Sequence, residues 1–395
     1  MTQTDTIGAR IRYWRLRRGG MTQAVLAGLA GVSQSYISQV EAGRKGVERR
    51  STLVGIASAL QVTVADLLGL PGDPTDPVKA GAADTVPAIW AALIEIEEGE
   101  RRPPTRTDAE LTAAIAYSAE LRDRADYPAI ARLLPGLMPD AAALGGVYLA
   151  QVGYHAAACL RHLGYRHLAL SAARVALAAA EAAESPAWIG AARFACTQAL
   201  PIEAAGIASR VADRALADLQ AAASARDVRQ MLGQLHLSAA LTSTVDGRLD
   251  DTRAHLAEAS REAEGLGEPE DGAGFNHCGF GPTNVGLWEM SIAAECGEYG
   301  RVLELSRSVR PDALRAAIRH SSYWMDLGRA LAHSGRSDRE ALVAFMRAER
   351  AAPAPFALNP LARDAVLTMV RRARRRSVSE DLRILARRFG VDAAA

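Results

Sequence analysis

Aromatic residues are scarce in this chain, only 5% of 395 positions, and its 49% hydrophobic content rests on alanine, leucine and other strong helix formers. Such a composition favours many helices touching through small side chains over a sheet-rich core. Cysteine is almost as sparse. Cys159, Cys196, Cys278 and Cys296 lie far apart with no CxxC pair, so reduced, mostly buried thiols are expected rather than disulfides. No apolar run reaches the roughly 18 residues of a membrane span, and the polar start Met1-Thr2-Gln3-Thr4-Asp5 lacks the apolar stretch of a secretory signal. A cytoplasmic location without a membrane partner is the expectation.

Reaction chemistry is equally thin. There is no Walker loop, no HExxH and no serine-centred GxSxG, and the glycines end helices without a preceding strand to build a phosphate cradle. His277 and Cys278 are adjacent but no nearby His or Cys completes a metal site, and His162 and His167 read as surface histidines. No set of acid, base and nucleophile converges, so neither an enzyme nor a metal nor a cofactor is expected.

Charge is present, and unevenly placed. Residues 1–70 carry nine Arg or Lys against four acids, a balance of +5, which leaves −4 for the rest of a chain whose formal total is +1. A basic head on a slightly acidic body suits nucleic acid better than a membrane surface. The periodicity predicts a helix over 6–18 with Ile7, Ile11 and Trp14 on one face, stopped by Gly19 and Gly20. Thr22 is placed to cap a second helix that turns Val25, Leu26 and Leu29 inward. Gly31 supplies a sharp turn with Val32 plugging the corner, and Ser33 caps a third helix with an apolar stripe of Tyr36, Ile37 and Val40. Leu53, Ile56, Ala57 and Leu60 mark a helix over 51–60, and Thr63 caps a last short one. Pro71, Pro74 and Pro77 then break the pattern. The division is therefore a head over 1–70, a linker over 71–86 and a helical body over 87–395.

The order Gln23, Gly31, Val32, Ser33, then Glu41, Ala42 and Gly43 resembles the lambda-Cro and phage-repressor family of helix-turn-helix domains, also called XRE-like. That resemblance implies a five-helix head whose third helix enters the major groove of double-stranded DNA. It implies that Gln34, Ser35 and Ser38, with Gln39 beside them, face base edges; a Gln amide both donates to and accepts from adenine. Gln23 would touch a phosphate and brace Gln34. Arg44, Lys45, Arg49 and Arg50, in the following loop and helix start, would meet phosphates and fix register. Glu41 would pair with Arg15 of the first helix as framework.

From Pro87 the chain becomes a succession of helical segments, expected at 108–123, 139–162, 167–183, 187–199, 208–222, 228–243, 251–265, 285–295, 312–334 and 340–351. The pattern looks like degenerate tetratricopeptide repeats, with pairs over 188–219, 232–263 and 323–350; an irregular all-helical domain is the alternative. Head and body together resemble large actinobacterial regulators that join a Cro-type head to a tetratricopeptide-like body. The glycine-rich stretch 274–285 stands out. Its Phe275, Asn276, Phe280 and Asn284 either face a ligand or pack the loop between repeats. The basic run 371–376 either adds phosphate contacts or ends a solvated helix.

An all-α regulator of transcription is thus expected, nucleoid-associated when bound to DNA. It would be a homodimeric repressor on a pseudo-palindromic operator, its body answering a small-molecule or peptide signal. The competing expectation is a protein- or peptide-binding scaffold with auxiliary DNA contact.

Overall fold

The computed structural model describes residues 6–68, 84–373 and 379–389, and every regular element among them is a helix. Five short helices come first: α1 (Ile7–Arg17), α2 (Gln23–Leu29), α3 (Gln34–Glu41), α4 (Arg50–Leu60) and α5 (Val64–Leu68). The starts of the first three are set by hydroxyls three residues ahead of otherwise unpaired N–H groups, whereas α4 has no side-chain cap. Thr6 accepts from the Ala9 N–H at 3.2 Å, Thr22 from that of Val25 at 3.2 Å, and Ser33 from that of Tyr36 at 3.1 Å. Ile11, Leu26, Ile37, Ile56, Leu60 and Leu67 meet in one solvent-free core.

α1 crosses α3 at a point where only a glycine fits: a Cβ on Gly8 would lie 2.0 Å from the carbonyl oxygen of Val40. The inward placing expected for all three apolar residues of α2 holds only for Leu26. Val25 and Leu29 are 51% and 62% exposed, because they share the flank opposite Ala27, which with Leu26 takes the core side.

The linker expected over 71–86 lies mostly outside the described residues. The body opens with α6 (Val86–Glu97), α7 (Asp108–Asp123) and α8 (Tyr127–Leu144). The single helix expected over 139–162 is two: α8 ends before Gly145 and α9 (Gly146–His162) begins after it, the chain turning through the left-handed φ values of 68° at Gly145 and 56° at Gly146, which a right-handed helix interior does not hold. α9 pairs with α10 (Arg166–Ala182). The same arrangement repeats in α11 (Pro186–Ala199) with α12 (Ala205–Leu219), and in α13 (Arg226–Val245) with α14 (Leu249–Leu266). It continues in α15 (Pro282–Cys296) with α16 (Tyr299–Leu305) and α17 (Ala317–Ala332) with α18 (Asp338–Ala351).

The first helix of each pair packs on the first helix of the next, so α9, α11, α13, α15 and α17 form a continuous inner wall. Small residues allow these approaches: a Cβ on Gly190 would lie 2.8 Å from the Met231 side chain, and one on Gly328 2.8 Å from the Phe345 ring. Three helices for which the sequence offered no segment, α19 (Pro353–Ala357), α20 (Pro360–Ala373) and α21 (Glu380–Arg388), close the far end around Phe345, Phe356 and Phe389.

Replacing Gly8 with Ala should force α1 off α3 and destabilise the head by about 1–3 kcal/mol, as overpacking does. Chemical denaturation followed through Trp14 checks this; unchanged stability would show that the crossing has slack.

Candidate nucleic-acid interface

Orientation of α3 is set by one buried polar cluster. Arg15 donates from Nε to Glu41 Oε1 at 2.6 Å and from Nη2 to Oε2 at 2.8 Å, while its Nη1 reaches the Met21 carbonyl at 2.5 Å. Gln23 Nε2 completes the cluster by donating to Glu41 Oε2 at 2.8 Å. Such a bidentate pair is directional, so it fixes the angle of α3 against α1 as well as its distance. The hydrogen bond to Glu41 raises the Arg15 pKa, keeping the cation charged although buried. Gln23, expected at a phosphate and against Gln34, gives one amide N–H to Glu41.

The face this cluster presents is polar and open. Gln34, Ser35 and Gln39 are exposed and Ser38 is half-buried, with Gln39 Nε2 donating to Ser35 Oγ at 3.2 Å. These four and Arg44 line one open depression on the surface. The other basic residues lean away from it. Lys45 Nζ sits 5.4 Å from the Tyr36 ring centroid and 4.0 Å from Glu48, and the Arg49 side chain lies against Gly297 of the body. Arg50, expected at a phosphate, pairs instead with Glu295 at 2.8 Å. Glu295 is buried on α15 and takes the Arg50 backbone N–H as well, which binds that arginine to the body rather than to the polar face.

Residues 6–75 match a family model described as a helix-turn-helix domain. The head is a helix-turn-helix domain, which supports DNA binding. No curated protein and no solved structure matches the chain.

The helix-turn-helix domain is gripped by the body through the loop that follows its third helix. Glu48 accepts from the Tyr299 hydroxyl at 3.1 Å and lies 2.9 Å from His333 Nδ1, and its carbonyl accepts from Arg329. The Val47 N–H donates to Asp364 Oδ2 at 2.7 Å. At the other side of the domain the Val64 N–H donates to Glu203 at 3.0 Å, and Ile202 packs on the domain's core. Arg371 donates to Thr6 at 3.2 Å and Arg372 pairs with Asp338 at 3.0 Å, so these two members of the 371–376 run hold structure. Residues 374–376 lie outside the described residues.

The four candidate ligand residues of the 274–285 stretch are committed to packing. The Phe280 ring is fully buried on the Gly233 backbone, where a Cβ would come within 1.9 Å of it. Asn284, also buried, donates to Gln234 Oε1 at 2.9 Å, and Phe275 packs 5.1 Å from the Trp188 ring. Asn276 accepts from Arg122 Nη2 through its carbonyl at 2.6 Å and its Oδ1 at 3.0 Å. His277 and Cys278 reach a cavity instead, with His277 Nδ1 2.8 Å from Asp123 Oδ2. Among the described residues no cluster of His, Cys, Asp and Glu could hold a metal ion, and no helix is long and apolar enough to cross a membrane.

His162 is not the surface histidine expected. It stacks on buried Tyr127 at 4.3 Å, and burial followed by the charges of Arg161, Arg166 and Arg319 pushes its pKa well down. The sequence reading passed over Glu48, Glu295, Asp364 and these three arginines. A visible trace of the last was the repeated Arg-His dipeptide at 161–162 and 166–167.

Two outcomes follow for stability. Phe280→Ala should cost about 3–5 kcal/mol in urea unfolding, because the emptied site borders backbone that cannot close over it; a loss below about 1 kcal/mol would mean the loop is loosely seated. Asp364, raised by burial from 3.8 to about 6, gives a pH-dependent contact. Its neutral form is the favoured one in the fold, so the contribution is full below the unfolded value of 3.8 and is lost as pH rises through about 6. Asp364→Asn should therefore raise Tm by about 2–4 °C at pH 7.5 and by little at pH 5. An equal shift at both values would exclude that titration.

Proposed function

We propose that this chain is a sequence-specific transcriptional regulator of the XRE-like kind, acting as a homodimer on a pseudo-palindromic operator. The observation that carries the reading is the open face of α3, where Gln34, Ser35 and Gln39 stand exposed on a helix oriented by the Arg15 and Glu41 pair. Gln34 is the main base-reading residue, Ser35, Ser38 and Gln39 support it, and Arg44 anchors a flanking phosphate. Lys45 and Arg49 add positive potential behind that anchor.

One such helix covers too few base pairs for a specific site, so two copies are required. Exposed Val25 and Leu29, side by side on α2, offer an apolar surface to the second copy. Repression by promoter occupancy is the simplest mode, since it needs no further contact. The body is a tetratricopeptide-like solenoid, a reading supported by the stacking of alternate helices. It grips the DNA-binding domain closely enough for a small-molecule or peptide signal to reach it.

Selection from random duplex DNA should return a short inverted repeat. Gln34→Ala should then lose about 1–3 kcal/mol on that site and much less on scrambled duplex, whereas equal losses on both would remove its base-reading role. Arg44→Ala should weaken both and reduce the salt slope by about one, while Arg50→Ala should leave that slope unaltered.

A further inference from the structure

Between the helix-turn-helix domain and the inner wall of the body lies a cavity of about 540 Å³. That is the size of a site for a small organic molecule. α9, α11, α15 and α17 supply one side through Tyr154, Phe194, Trp288 and Met325, a largely apolar and aromatic wall. Arg50, Leu53 and Leu68 of the DNA-binding domain supply the other.

The charge on this wall is unbalanced. Arg161, Arg166 and Arg319 all line the cavity, and among the described residues none has a carboxylate within ion-pair distance. Arg161 Nη2 lies 2.6 Å from His162 Nε2, Arg166 reaches only the carbonyls of Gln198 and Leu200, and Arg319 lies 5.8 Å from the Trp288 ring centroid. The carboxylates on the same wall are taken: Asp123 by His277 and Arg315, Asp326 by Arg329 and Ser291, Glu203 by the Val64 N–H.

Two buried donors on the wall, Arg122 Nη1 and Trp288 Nε1, also have no acceptor. Desolvation lowers the Arg161 pKa, and desolvation together with the Arg161 charge lowers those of Arg319 and of Arg166, the last, although its side chain reaches solvent, to about 10. Packing alone gives no reason to gather cations here, since desolvating a charge without a partner opposes folding. Cations and orphan donors around an apolar hollow are complementary to a ligand with anionic oxygens on an apolar body.

We propose that this cavity is an effector site for a small aromatic organic anion, its carboxylate or phosphate seated among Arg161, Arg166 and Arg319. The inference rests on the regulator reading above and assigns the chemistry of its signal. Because Arg50 lines the cavity and is also the residue that ties the DNA-binding domain to Glu295, occupancy and the position of that domain are linked.

The test uses the full chain without DNA, titrated by calorimetry and thermal shift with 1-naphthylacetate, 1-naphthyl phosphate and the neutral 2-(1-naphthyl)ethanol. Both anions should bind and raise Tm and the alcohol should not; the tighter anion identifies the headgroup. Arg161→Gln and Arg319→Gln should each weaken the anions about tenfold or more. Ligand-free Tm in these variants should hold or rise, because an unpaired charge has gone; Arg166→Gln, at the solvent-exposed position, serves as a third variant. Equal binding of the alcohol, no anion binding, unchanged affinity in the variants, or a ligand-free Tm that falls in all three would overturn the site. A protein that binds the anions yet selects no DNA sequence would overturn the regulator reading and leave the site standing.

Discussion

Glu48 couples the two ends of the molecule. Its carboxylate meets Tyr299 and His333 and its carbonyl meets Arg329, so one residue just beyond the third helix is held by two different helices of the body. The adjacent Val47 N–H is fixed by Asp364 and the Arg50 backbone by Glu295. Backbone groups of Val47, Glu48 and Arg50 take part directly, so the contact holds the main chain of the loop and not only its side chains. The third helix, locked to the first by Arg15 and Glu41, therefore moves with the body or not at all unless these bonds break.

Scarcity of aromatic residues shapes how the rest is built. With alanine and glycine at the crossings, helices come close enough for backbone to meet backbone, as where Gly8 passes Val40. The few rings are placed where a small residue opposes them: Phe280 over Gly233, Phe345 over Gly328. The inner wall is different. There Tyr154, Phe194 and Trp288 border a hollow, and Arg161, Arg166 and Arg319 beside them have, among the described residues, no carboxylate within ion-pair distance. The same chain thus packs closely at its helix crossings and leaves a cavity of about 540 Å³ between domain and body.

What the sequence disclosed was local or carried by resemblance. Thr22 and Ser33 could be recognised as caps because hydroxyl and N–H lie three residues apart. Arg15 and Glu41 could be paired because the helix-turn-helix pattern places them so. Gln23 joins that pair through its amide, a contact the helix-turn-helix pattern does not single out. The Arg50 partner Glu295 lies 245 positions away, and no local spacing points to it. The 274–285 stretch left two readings open, since glycines and asparagines that suit a ligand loop equally suit a loop pressed against helix backbone. The cavity was invisible because it exists only when the domain lies across the inner wall.

Val47 and Asp364 lie 317 positions apart, yet a single hydrogen bond joins them. Loss of the carboxyl-terminal helices, by a premature stop or by proteolysis, would thus act first on the amino-terminal domain. A shortened chain would keep the Arg15 and Glu41 pair that orients the third helix but lose one of the bonds that tether the domain to the body.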